Sequence, residues 1–288
     1  MRAVLLLSVA LAVPAGAGSA GAAVLEPTAG AGSETRITIV ASGDLLVHAP
    51  VAIAAAAGGG YDFRPLFARI RPLVRSADLA LCHAETPIGA GARSGYPIFN
   101  APRELARAIG WAGFDACSTA SNHSVDRGAA GIASTIAALR RAGVEATGTA
   151  RTRAGSRRIL LLDAGGVEVA FLSYTYGTNG LPLPRPWSVN LIAPRRIVAD
   201  ARRARRQGAE LVVVNLHWGA EYVHAPTADQ RRWRGPCSAP GRWTRSSAST
   251  RTSCSRSAGS TRARSSTGRA TSSRPRAPSA VTRRRRTG

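Results

Sequence analysis

Short apolar runs alternate with amphipathic stretches along most of the chain, and the two periods predict alternating strands and helices. Thr35–Ala41 (TRITIVA) is rich in β-branched residues and runs into Ser42-Gly43-Asp44, which reads as a strand entering a loop. Ala77–Ala84 (ADLALCHA), Phe114–Ala120 and Glu210–Leu216 (ELVVVNL) read as further buried strands. Helical spacing runs through Phe63–Val74, restricted by Pro65 and Pro72, and through Pro102–Trp111, Gly131–Ala142 and Ala193–Arg206. Gly113 and Gly143 close two of these helices, and Gly165-Gly166 joins Arg158–Ala164 to Val167–Tyr174 as a hairpin. The order predicts an α/β domain with helices packed over a sheet.

Polar residues collect where four of these runs end: Gly43-Asp44, Glu85, Asn122-His123 and His217. In open α/β sheets, ligands sit at the carboxyl ends of strands because loops converge there. Asp, Glu, Asn and His together suit a divalent cation such as Mn, Fe, Zn or Mg. Each residue also has an ordinary reading. Asp44 could start a turn, Glu85 could be a surface acid, and Asn122 could cap a helix beginning near Ser124. His123 could be a satisfied buried histidine, and His217 could pack on Trp218. Their common position after successive strands favours a site.

The chain has 288 residues, 39 basic and 16 acidic, for a net charge of +23. The charge is concentrated: residues 1–230 carry 23 Arg and all 16 acids, whereas residues 231–288 carry 16 Arg and no acid. At the other end, Arg2, the apolar run Ala3–Val13 and small residues near Ala15-Gly16-Ala17 or Ala20-Gly21-Ala22 predict a secretory signal peptide over residues 1–22. Residues 23–34 read as a linker. No later segment is long and apolar enough to span a bilayer, so a secreted, envelope-associated product is expected. Cys82 and Cys117 fall in apolar runs and read as buried small hydrophobes, with no disulfide framework expected.

Four stretches resemble one family in its motif order: ASGDLLVH (41–48), ADLALCHAETPIG (77–89), NAPRELARAIGWAGFDACSTASNHSVDRGAAGI (100–132) and VVVNLHWGAEYVHAPTADQRR (212–232). They resemble the CapA (poly-gamma-glutamate capsule synthesis) family of the calcineurin-like metallophosphatase superfamily. The resemblance implies a layered β-sandwich flanked by helices over residues 35–232, with a divalent metal centre that is dinuclear in intact relatives. It implies Asp44, Asn122 and His217 as ligands, Glu85 as a bridging or second-site carboxylate ligand, and His123 as general acid or transition-state donor. Asp126, Glu221 and His48 would orient those groups from behind. One departure stands out: the family's Asn-Leu before the Glu is His83-Ala84 here.

After Arg232 the composition changes. Residues 233–288 hold no Leu, Ile, Phe, Tyr or Met and a single Val. The segment reads as an Arg/Ser-rich disordered tail, and codon arithmetic suggests translation in a shifted frame. Moving the frame by one base lets residues 233–257 read VARALLGARAVDAVVGVHAHVVQPI, which resembles the His-x-His motif that the family carries next. TGRATSSR (267–274) likewise permits YGRGNFLS. On this reading the metal site is incomplete, the C-terminal part of the fold is missing or disordered, and a sheet edge is left uncovered. The favoured function is a metal-dependent hydrolase-like protein of capsule or poly-gamma-glutamate biosynthesis or export. A second is a non-catalytic partner that binds an acidic polymer or envelope assembly proteins through Arg195, Arg196, Arg202, Arg203, Arg205 and Arg206. Nucleic-acid binding by the tail is disfavoured, because no aromatic interleaving accompanies the arginines.

Overall fold

The computed structural model describes residues 35–223, 225–237 and 245–249, with side chains described as far as Arg232. The expected signal peptide and linker lie outside these residues, as does the chain after Ser249.

Two four-stranded sheets form the framework. The first contains β1 (Ile39–Leu45), β4 (Leu79–Ala84), β5 (Ala116–Ser118) and β6 (Glu145–Thr147), all parallel and in that spatial order. A two-residue hairpin, β2 (Ala56–Ala57) and β3 (Gly60–Tyr61), follows helix α1 (Ala49–Ala54). Helices α2 (Arg64–Phe67), α3 (Arg71–Ser76), α4 (Glu104–Ala112) and α5 (Gly128–Arg141) complete this half. The second sheet orders β10 (Arg245–Ser249), β9 (Leu211–His217), β8 (Val167–Thr175) and β7 (Leu160–Ala164), with only the β7–β8 hairpin antiparallel. Helix α6 (Pro194–Arg206) connects β8 to β9, and α7 (Ala228–Cys237) follows β9.

Strand periodicity explains the layering. Ala80, Cys82 and Ala84 point from β4 into a core shared with Leu105, Ile109 and Leu139 of the helices. Leu79 and Leu81 point the other way, into a second core with Ala116, Phe171 and Val213. That second core draws on both sheets, so the sheets lie face to face. Leu172, Tyr174, Val212 and Val214 leave the opposite face of the second sheet and pack under Ile197 and Ala204 of α6. The result is a helix–sheet–sheet–helix sandwich, the metallophosphatase-like α/β layering that the motifs imply. Each large aliphatic side chain buried here contributes about 1.5–3 kcal/mol.

Several local expectations shift. Phe63–Val74 is two short helices rather than one, since Pro65 and Pro72 each fall in a first turn, where a missing N–H costs nothing. Strand β1 starts and ends later than TRITIVA suggests, and an irregularity between Ala41 and Asp44 places Asp44 inside the strand. Cys82 and Cys117 are bridged, which corrects the reading of two separate thiols: they are Cα partners on neighbouring strands, 4.3 Å apart. The edge of β9 is paired as well. Residues 245–249 lie parallel to it with Ser249 opposite His217, because ladder pairing uses the backbone and tolerates the tail's polar residues.

Candidate metal centre

The face between the sheets changes character along each strand. Leu79 and Leu81 give way to His83, Ala116 to Ser118, Val169 and Phe171 to Ser173 and Thr175, and Val213 to Asn215 and His217. With a period of two, all these residues share the face that is apolar lower down. Parallel pairing brings the polar ends to one edge, and β1 adds Asp44 opposite His83 in the ladder.

His83, His217 and Asp44 converge there. His83 Nε2 and His217 Nδ1 each lie 3.7 Å from Asp44 Oδ1, and the three ligand atoms fall within 4.8 Å of one another. The two imidazoles stack at 4.8 Å and 23°, and Tyr176 stacks on the other side of His217 at 6.0 Å. Both histidines are fully buried.

Hydrogen bonds hold the His83 ring from its Nδ1 side. Ser118 Oγ donates to the Cys82 carbonyl (3.4 Å) and accepts from Asn215 Nδ2 (2.9 Å). His83 Nδ1 lies 2.5 Å from Ser118 Oγ and 3.4 Å from Asn215 Nδ2, so the ring is bonded on that side. Nε2 faces the Asp44 carboxylate and has no hydrogen-bond partner among the described residues. Burial, and secondarily the neighbouring His217, lower the His83 pKa to about 3, against a weaker upward pull from Asp44. The ring is thus neutral, and its approach to Asp44 is not an ion pair. A buried ring nitrogen without a hydrogen bond costs free energy, and a cation shared with the carboxylate would relieve that cost. A cation held at about 2.0–2.2 Å by N and O donors needs donor atoms roughly 3–3.5 Å apart. The two separations from Asp44 Oδ1 come within a few tenths of an ångström of that range, while the three atoms together span up to 4.8 Å, so the donor set fits a metal once the two imidazoles draw closer.

A second chain of contacts leads away from the centre. His217 Nε2 is 2.8 Å from Asn122 Oδ1, Asn122 Nδ2 donates to Asn179 Oδ1 (3.0 Å), and Asn179 Nδ2 lies 3.5 Å from His123 Nε2. His123 Nδ1 meets Asp126 Oδ2 at 2.8 Å, and the same oxygen accepts the Phe99 N–H. Asp126 therefore fixes the ring with Nδ1 protonated and Nε2 turned to the site. Asn179 has φ +52°, a conformation that Asn tolerates better than most residues.

The structure thus brings Asp44, His217, Asn122, His123 and Asp126 into one connected cluster. Glu85 is 2% exposed, with Oε1 3.9 Å from His217 Nε2, so it is not a surface acid. Asn122 does not cap α5, which begins six residues later. His48 is exposed and touches Phe99, whose ring contacts both His48 (5.0 Å) and His123 (4.8 Å). Glu221 sits on the exposed segment after β9. Sequence reasoning passed over His83, Ser118, Asn215 and Asn179 as contributors. A signal existed for the first three, being polar residues spaced by two from apolar ones in buried strands. Nothing in a loop's periodicity could have marked Asn179.

The sequence profile of the bacterial capsule synthesis protein PGA_cap matches residues 38–239. The chain belongs to this family. It is 27% identical over 207 residues to the capsule biosynthesis protein CapA of Bacillus anthracis, a match covering 68% of this chain and 49% of that protein. It is also 26% identical over 121 residues to a probable polyglutamine synthesis accessory protein of Mycobacterium tuberculosis, covering 38% of this chain and 32% of the relative. The chain therefore spans about half the length of the first relative and a third of the second. The PGA_cap match takes in every residue of the cluster. Among the described residues, no helix is long and apolar enough to cross a membrane.

Proposed function

We propose that this PGA_cap member is an exported, envelope-associated protein of anionic capsule-polymer biosynthesis, with a divalent metal centre of hydrolase type. The observation that carries the metal reading is the buried, unbonded Nε2 of His83 aimed at Asp44. Asp44, His83 and His217 would hold the ion, with Glu85 and Asn122 beside them. Two imidazoles and a carboxylate favour Zn, Fe or Mn over Mg. A bound divalent cation would supply Lewis acidity toward a phosphoryl or carbonyl oxygen and make water a better nucleophile. The protein's part is positional. Asn122 is held between His217 and Asn179, and Asp126 orients His123 so that its Nε2 faces the site as the general acid of this reading.

The same reading takes the chain beyond about Arg232 as an out-of-frame product. Strand β10 pairs parallel to β9 over residues 245–249, where the shifted frame reads AVVGV in place of RSSAS. The His-x-His of that frame begins one position after Ser249, the residue opposite His217. An intact frame would thus add two imidazoles at the edge where the ligands already gather. The test is to sequence the gene across codons 229–235, map the tail by mass spectrometry, and compare metal content and phosphodiesterase activity before and after frame repair. Repair should raise metal content, and Asn122→Ala or His123→Ala should then abolish activity. Unchanged activity in both variants would remove the hydrolase reading, and tail peptides from an intact gene frame would remove the slip.

A further inference from the structure

On the far side of the second sheet, a cavity of about 250 Å³ is lined by Arg153, Ser156, Arg157, Trp187, Arg196, Asp200 and Arg203. Its charge is unbalanced: four guanidinium groups face one carboxylate. Asp200 is buried and already engaged, since it takes a 2.9 Å hydrogen bond from Tyr174 Oη and a 2.8 Å ion pair from Arg203, with Arg196 Nε at 3.6 Å. Arg196 also donates to Asn190 Oδ1 (2.6 Å). These contacts lock two guanidinium groups into the wall. Arg203 Nε is nonetheless buried without a hydrogen-bond acceptor, and Arg153 and Arg157 form no ion pair among the described residues.

Backbone pairing assembles this cavity. Ala150 N–H donates to Ser188 O and Asn190 N–H to Gly148 O, which pins the β8–α6 connection (residues 176–193) against the segment leading to Arg153 and Arg157. That connection carries Trp187 at the cavity and Asn179 at the metal cluster. We infer that the cavity is a binding site for carboxylate groups of an acidic polymer, with Arg153 and Arg157 as the adjustable contacts, Arg196 and Arg203 as fixed ones, and Trp187 as an apolar wall. Drug-sized ligands occupy roughly 300–1,000 Å³, so this smaller space suits one or two acidic repeat units. The choice of a polymer over a free anion rests on the proposed role in capsule synthesis; the anion site itself does not. Arg195 and Arg202 lie exposed on α6, outside the cavity lining, and Arg205 is tied to the carbonyls of Ala209 and Glu210. The binding surface is therefore a subset of the α6 arginines joined by two from outside the helix.

The tail's arginines would bind any polyanion, so the readout must resolve individual residues. Phenylglyoxal labelling of the full chain, mapped by peptide mass spectrometry with and without poly-gamma-glutamate, provides it. Arg153 and Arg157 should be protected at physiological salt, with Arg195 and Arg202 still reactive. Arg153→Ala/Arg157→Ala should weaken polymer binding about tenfold, the product of two exposed charge contacts, and Arg195→Ala/Arg202→Ala should not. Equal protection of all four arginines would overturn the site. Displacement of the polymer by equimolar inorganic phosphate would reduce it to a small-anion site and overturn the polymer assignment. Repeating the labelling in EDTA separates the two proposals: protection that persists there supports the cavity whether or not a metal binds at Asp44, and protection lost there would overturn it as an independent site.

Discussion

Replacing His83 by leucine tests the metal centre without any assay of activity. Leucine is close to imidazole in volume and keeps the inter-sheet face filled. In the metal-free chain the substitution removes one buried ring nitrogen that has no hydrogen bond among the described residues, an arrangement that costs about 1–3 kcal/mol. It also removes the hydrogen bond between Nδ1 and Ser118, worth about 1 kcal/mol. Ser118 is not orphaned, because it keeps Asn215 and the Cys82 carbonyl. The balance favours leucine by about 1 kcal/mol, or roughly 2–4 °C in Tm for a chain of this size. The effect of metal should run the opposite way. Wild-type protein at a cation concentration of 100 Kd gains about 2.7 kcal/mol, whereas His83→Leu, missing one of three ligands, should gain almost nothing. Thermal melts of both proteins in EDTA and in added Zn or Mn supply the comparison. The reasoning fails if His83→Leu is the less stable protein in EDTA by more than about 2 kcal/mol while keeping its metal-dependent shift.

Three further outcomes are expected. Because His83 has a folded-state pKa near 3 against 6.5 when unfolded, stability should be unaffected by this residue above pH 6.5. It should fall by up to about 1.4 kcal/mol per pH unit between 6.5 and 3, a slope that urea titrations should find missing in His83→Leu. Reducing the Cys82–Cys117 bridge opens a loop of sequence separation 35 and should cost about 4 kcal/mol by chain entropy, measured as a drop in urea midpoint with dithiothreitol. Asp126→Asn removes the charge behind His123 and should lower the activity of frame-repaired protein by about 10–100-fold, with metal content by elemental analysis unchanged.

Strand and helix order was legible because burial on one or both faces imposes its own period, as the buried run LALCHA of β4 shows. The strand-tip residues were legible for the same reason: a polar side chain beside apolar ones in a buried strand needs a partner. Register was harder to read. Whether Asp44 falls in a loop or a strand depends on an irregularity between β1 and β4 that leaves no mark on the one-dimensional pattern. Pairings across long separations were also hidden. Cys82 and Cys117 face each other only because β4 and β5 become neighbours in this alignment, and composition alone makes two buried cysteines look like small hydrophobes. The Arg cavity was half legible, since helical spacing exposed the charge of α6 but not which arginines turn inward to Asp200.

The placement of the cluster follows from one energetic conflict. The inter-sheet face is a core for as long as both sheets present Leu, Val, Phe and Ala, and in that part of the sandwich a polar group would lose water without compensation. At the C-terminal tips, His83, Ser118, Asn215 and His217 occupy the same face at the same burial. A chain selected only for stability would extend the apolar pattern by one more residue per strand. Hydrogen bonds within the cluster offset most of the desolvation, as Ser118 and Asn215 do for one side of His83. They do not reach Nε2. The remaining deficit lies at Nε2 itself, and a cation shared with Asp44 is the partner that would satisfy it.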